Sequence, residues 1–163
     1  MNKKDGSKYA PKGKPNPVVK PGEFYIAAIA LDHGHVYGMC NGLTEAGATL
    51  KWVYDPDSKK VEAFLRAFPQ AKAASSEEEI LADPDVKLVC SAAITSKRCE
   101  LGLRVMAAGK DYFTDKAPLT TLEQLSAAKE RCSDPRKKAS KQVLESTNTF
   151  MHFLGRLSAG NVE

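Results

Sequence analysis

The stretch from Ile29 to Gly38, IALDHGHVYG, sets Asp32, His33 and His35 around Gly34, just after an apolar run and just before a helical pattern. A phosphate-binding turn belongs at such a place, because backbone N–H groups at a helix start can approach a pyrophosphate where the residues are small. Counting a GxGxxG frame from Ala30 puts Ala30, Asp32 and His35 at the three glycine positions, so the residue types do not match the frame. The plainer expectation is a capped turn, in which Asp32 accepts helix N–H groups and Gly34 takes an unusual backbone angle. The same side chains are metal-ligating types. Neighbours on one tight turn do not usually converge on a single ion, however, and no second cluster completes a set, so no metal is expected.

Other chemistry sits further along. Asp55 stands 21 residues beyond Gly34, at the end of a strand-like run. An acid there can bond both adenosine ribose hydroxyls and repel a 2′-phosphate, which favours NAD over NADP if a dinucleotide binds. Asp57 is expected either to cap the next helix or to compete for that role. In SAAITSKRCE the small residues Ser91 to Ala93 leave room for a ligand, and Thr95 or Ser96 is a candidate helix cap. In YFTDKAPLTTLEQL, Lys116 follows a buried strand and is fixed by Pro118. It is placed to steady a substrate hydroxyl or carbonyl beside a nicotinamide ring, or else to pair with Asp115.

These positions make sense only as exits of strands. FYIAAIAL (24–31), TLKWVY (49–54), VKLVCSA (86–92) and DYFTD (111–115) read as strands buried in a parallel sheet. Between them lie helical patterns. Val36, Met39, Leu43 and Ala46 are spaced at threes and fours, with Gly47 as a stop. Asp57 or Ser58 can cap a helix bearing Val61, Phe64, Leu65 and Phe68 on one face and ending at Pro69. SSEEEIL (75–81) is a short capped helix with acids in its first turn. Helices over 96–108, closed by Gly109, and over 121–132 complete the alternation. Strands joined by helical crossovers give a doubly wound α/β sheet, mostly parallel and Rossmann-like, whose ligands lie beyond the carboxyl ends of the strands.

The chain has 163 residues, enough for one domain with a sizeable core. Its net charge of +4 is carried by residues 1–23, which hold six Lys against Asp5 and Glu23, together with four Pro; the remainder is neutral. A disordered basic arm over 1–23 is therefore expected, and no nucleic-acid groove. No apolar run approaches the roughly 20 residues of a membrane span. The four Cys, at 40, 90, 99 and 132, show no metal spacing and read as reduced thiols, which points to the cytoplasm.

With the exits aligned, the chain resembles the Gfo/Idh/MocA family of NAD(P)-dependent oxidoreductases, from about Phe24 to Arg131. The resemblance rests on VYDPDSKKVEAFLRAFP, SSEEEILADPDVKLVCSAA, CELGLRVMAAGKDYFTDKAP and TTLEQLSAAKE, in that order and spacing. Asp115-Lys116-Ala117-Pro118 resembles that family's Glu-Lys-Pro motif. The resemblance implies a Rossmann domain with cofactor contacts from Ala30, Leu31, Asp32, His33, Gly34 and His35, from Asp55, from Ala92, Ala93 and Ser96, and from Asp115 and Lys116. It also implies a role for Lys116 in positioning the reacting carbon of a sugar, polyol or similar substrate, with hydride passing to or from nicotinamide. ALDHGH lacks the family's glycines, and Arg98 stands where a family His often begins the fourth helix.

The resemblance further implies an α+β second domain with most substrate contacts, which this chain is expected to lack. The expected layout is an arm over 1–23, a Rossmann domain over 24–146 ending in a strand at Gln142–Ser146, and over 147–163 a linking helix (Thr149–Ala159) with the start of the second domain. The apolar side of that helix (Phe150, Leu154, Leu157) is then a candidate surface for joining two copies. Lys116 alone cannot serve as acid, base and clamp, so the expected function is that of the NAD(P)-binding domain of an oxidoreductase with little turnover by itself. The alternative is a non-catalytic nucleotide-binding or interaction module.

Overall fold

In a computed structural model, residues 17–133 are described. Five strands alternate with five helices: β1 (Tyr25–Ile29), α1 (His35–Glu45), β2 (Thr49–Tyr54), α2 (Ser58–Ala67), β3 (Lys72–Ala73), α3 (Glu77–Ala82), β4 (Val86–Ser91), α4 (Thr95–Ala107), β5 (Asp111–Thr114) and α5 (Leu122–Ser133). The strands pair parallel in the order β3-β2-β1-β4-β5. This is the expected doubly wound sheet. The strand expected at Gln142–Ser146, the helix at Thr149–Ala159 and its apolar side lie outside the described residues.

The alternation of β1 explains why the sheet is covered on both faces. Ile26 and Ala28 point to one side, where they join Val36, Cys40, Leu50 and Phe64 under α1 and α2. Ala27 and Ile29 point to the other, against Ile80, Val86, Val89, Leu101 and Val105 under α3 and α4. Phe64 is fully buried, with its ring centroid 5.3 Å from that of Tyr37 and 4.8 Å from that of Phe68. A side chain of this size contributes about 2–3 kcal/mol when withdrawn from water. Capping fixes the helix starts: Asp57 accepts from Lys59 N at α2, and Ser76 from Glu79 N at α3. Bonds from Arg131 Nη2 to Met106 O (2.6 Å) and from Gln124 Nε2 to Ser96 O (3.2 Å) tie α5 to α4.

Residues 17–23, the end of the expected arm, are mostly exposed but are tied to the domain. Val18 N donates to Ala46 O at 2.8 Å and Gly22 N to Thr49 Oγ1 at 2.9 Å, so this segment lies along the turn between α1 and β2. Gly47, at φ 106, makes that approach feasible, because a Cβ there would stand 2.0 Å from the Val19 carbonyl oxygen. Backbone groups that find partners outweigh the polar composition. Residues 1–16 lie outside the described residues.

Candidate functional site

The winding changes direction between β1 and β4, the neighbouring central strands, and this leaves a crevice beyond their carboxyl ends. Ala30 leaves β1 with φ 61, in the left-handed region. Its N–H donates to Tyr54 O and its carbonyl accepts from Ala92 N, both at 3.2 Å, so it extends the ladder on both sides while turning the chain. For an alanine this conformation costs roughly 1–2 kcal/mol. His33 N donates to Ala92 O at 3.1 Å, which locks the two exits together.

Asp32 does not cap α1. Gly34, at the N-cap, has an ordinary helical φ of −60, and no side chain caps the helix. The unusual backbone angle expected at Gly34 falls on Ala30. Asp32 turns away instead: Oδ1 accepts from Lys60 Nζ of α2 at 2.6 Å, and Oδ2 accepts from Ile94 N at 3.1 Å. A charge-assisted bond to an ammonium outcompetes a bond to neutral helix amides. The bond from Lys60 holds the Asp32 carboxyl below its ordinary range, and the bond to Asp32 raises the Lys60 ammonium.

Asp55 is buried, and both its oxygens are engaged. Leu31 N donates to Oδ2 at 2.7 Å and Asp57 N to Oδ1 at 2.9 Å, with Lys60 Nζ 3.6 Å from Oδ2. The carboxylate therefore braces the turn after β1. The exposed acid at this exit is Asp57, and it caps α2.

At the other side, Arg98 is 2% exposed and Nε donates to Ala93 O at 2.7 Å. Its Nη1 donates to Asp115 O at 2.9 Å and to Ala117 O at 3.4 Å. Nη2 lies 3.1 Å from Asp115 Oδ1, an ion pair without hydrogen-bond alignment. His35 Nε2, from the first turn of α1, is 3.8 Å from Asp115 Oδ2. Lys116, at φ 53, is exposed and forms no ion pair among the described residues; the pairing expected of it with Asp115 belongs to Arg98. Neither Thr95 nor Ser96 caps α4, whose N-cap is Ile94.

The structure thus gathers Ala30 to His35, Ala92, Ala93 and, through Arg98 and His35, Asp115 and Lys116 along one edge of the sheet. The Ser96 side chain joins none of these bonds. Sequence reasoning missed Lys60 and the structural work of Arg98. Arg98 had a signal, since it falls in the apolar register of α4 with Leu101, Gly102 and Val105. No group of His, Cys, Asp and Glu suited to a metal occurs among the described residues, nor does any helix long and apolar enough to cross a membrane.

Residues 27–145 match the family described as the oxidoreductase family, NAD-binding Rossmann fold, Gfo/Idh/MocA. Among solved structures, one described as an oxidoreductase of Erwinia carotovora atroseptica is 42% identical, with a TM-score of 0.67, over 71% of this chain and 34% of its own. Myo-inositol dehydrogenase of Lactobacillus casei, in complex with NAD(H) and myo-inositol, is 24% identical with a TM-score of 0.61, over 69% of this chain and 34% of its own. GenD2 from gentamicin A biosynthesis, in complex with NAD, is 21% identical with a TM-score of 0.58, over 71% and 34%. The last two share the fold. The chain spans about a third of the length of these solved structures. No curated protein matches it.

Proposed function

The chain belongs to the Gfo/Idh/MocA oxidoreductase family, matched over its NAD-binding Rossmann fold, and from that premise we propose that it holds the dinucleotide in the crevice between β1 and β4 and presents Lys116 to a substrate. The observation that carries this reading is the start of α1: it lies at the change of winding with no side-chain cap, and Asp32 is drawn off to Lys60 and Ile94. Val36 N and Tyr37 N close on the His33 and Gly34 carbonyls, and the amides before them, those of Gly34 and His35, are the ones left for the pyrophosphate. Ala30, Ala92 and Ala93 suit this role because their small side chains let a ligand lie against the strand ends.

NAD is the proposed cofactor. Asp55 and Asp57 put negative charge at the exit of β2, where a 2′-phosphate would stand. Asp55 is the acid proposed to meet the ribose hydroxyls, and it also braces Leu31 N. When bound, nicotinamide supplies hydride acceptance and return. Lys116 offers an exposed ammonium to a substrate hydroxyl or carbonyl, on a loop fixed by Arg98. The substrate class is a small sugar or polyol, in keeping with the inositol complex of the Lactobacillus casei relative. Lys116 alone cannot serve as acid, base and clamp, so turnover would need a second domain to supply the remaining acid–base groups.

Calorimetric titration of the full chain with NAD and NADP tests the reading. NAD should bind in the micromolar to low-millimolar range and NADP more weakly. No heat with either cofactor would overturn it.

A further inference from the structure

Resting on that reading, we propose that Lys60 is a positioning residue for the dinucleotide: it is the built-in counter-charge that lets the phosphate turn carry an aspartate at a glycine position. In the GxGxxG frame the middle position lets the backbone approach the pyrophosphate, and here that position is Asp32. A carboxylate facing a pyrophosphate would repel it. The structure shows how the repulsion is relieved. Lys60 Nζ lies 2.6 Å from Asp32 Oδ1 and 3.6 Å from Asp55 Oδ2, so one ammonium stands between two carboxylates.

The arrangement also has direction. Asp32 comes from the turn after β1, Lys60 from the first turn of α2, and the Ile94 N–H from the exit of β4. The two bonds hold the carboxylate away from the start of α1, which has no side-chain cap. The neighbouring Lys59 is exposed and forms no ion pair among the described residues, so it does not share the task. The Lys60 and Asp32 side chains are 34% and 27% exposed. Their attraction is therefore partly screened by solvent and responds to salt.

The test is calorimetric titration of the full chain with NAD, at low and high salt, for wild type, Lys60→Met, Lys60→Arg, Asp32→Gly and the double variant Asp32→Gly/Lys60→Met. Thermal unfolding of each confirms that it is folded. Lys60→Met should weaken NAD binding about tenfold at low salt and less at high salt. Lys60→Arg should restore near wild-type affinity. In the Asp32→Gly background, Lys60→Met should weaken binding much less, since only the more distant charge of Asp55 is left to offset. If Lys60→Met weakens binding equally in both backgrounds, Lys60 meets the cofactor directly and the proposal fails. It also fails if wild type binds NAD and Lys60→Met binds it as well. A wild type that binds no NAD overturns the nucleotide reading itself, and this proposal with it.

Discussion

Arg98 is among the most buried polar side chains described, yet Nε and Nη1 donate to the carbonyls of Ala93, Asp115 and Ala117 while Nη2 faces the Asp115 carboxylate. A buried charge is tolerated when its donors are met, and removing one partner leaves the other stranded. Arg98→Met should therefore lower the unfolding free energy by about 3 kcal/mol, read as the shift of a urea midpoint at constant slope. Arg98→Lys should recover only part of this, because an ammonium cannot span three carbonyls in a planar fork. Pairing Arg98→Met with Asp115→Asn should cost less than Arg98→Met alone, since the stranded charge is removed. Lys116 depends on the same contacts, because the carbonyls on either side of it, those of Asp115 and Ala117, are the ones Arg98 holds. Much of this chemistry was legible in residue types. Asp57 stands among the expected helix caps and does cap α2, whereas the strand before Lys116, expected to be buried, is the edge strand β5 of the described sheet, with Phe113 42% exposed. The direction in which a carboxylate turns was not legible. Asp32 differs from the expected cap because its partner Lys60 is brought near only by the packing of α2, and the bond from Leu31 N to Asp55 likewise arises only from the turn after β1.

Elements follow the sequence where a face is buried. β2 occupies the same residues as the run TLKWVY, and β4 and α4 fall within a residue of their expected bounds. β3 was not legible: Lys72 and Ala73 are both exposed, carry no periodicity, and become a strand only by pairing with Trp52 and Val53. Helix glycines show how packing overrides local preference. Gly42 in α1 and Gly102 in α4 have the same intrinsic penalty relative to alanine, roughly 1 kcal/mol. A Cβ on Gly42 would meet nothing within 4 Å, whereas one on Gly102 would stand 2.7 Å from two carbons of the Tyr112 ring. Gly42→Ala should therefore stabilise the protein by about 0.5–1 kcal/mol. Gly102→Ala should destabilise it by about 1–2 kcal/mol, because the ring and the backbone of β5 must shift. Thermal midpoints moving in opposite directions would establish the contrast; a rise for both would mean that Tyr112 yields freely.

Across the whole molecule the two ends of the sheet do different work. The carboxyl ends of β1 and β5 lead into Ala30 and Lys116, which among the described residues are the non-glycine positions with left-handed backbone, and into the candidate site. Near the amino ends of β4 and β5 lies a polar knot. Asp83 accepts from Trp52 Nε1 at 2.6 Å and from Asp85 N at 2.9 Å, and lies 2.7 Å from Lys51 Nζ. Lys110 Nζ donates to the Asp83 carbonyl and to Val86 O. Burial raises the Asp83 carboxyl, but the bonds from Lys51, Trp52 and Asp85 outweigh it and hold the group down at about 2, against an ordinary 3.8. A depressed carboxyl contributes stability that is fully present above its unfolded value and lost as pH falls through its folded one. The knot should therefore add about 1–2 kcal/mol at neutral pH, after allowance for solvent screening, and lose it between about pH 4 and pH 2. Asp83→Asn should remove this portion of the acid slope in unfolding free energy while leaving NAD affinity at neutral pH unchanged, since the knot lies at the opposite end of the strands from the site. A variant that weakened NAD binding as much as it lowered stability would show instead that the two ends are coupled through β4.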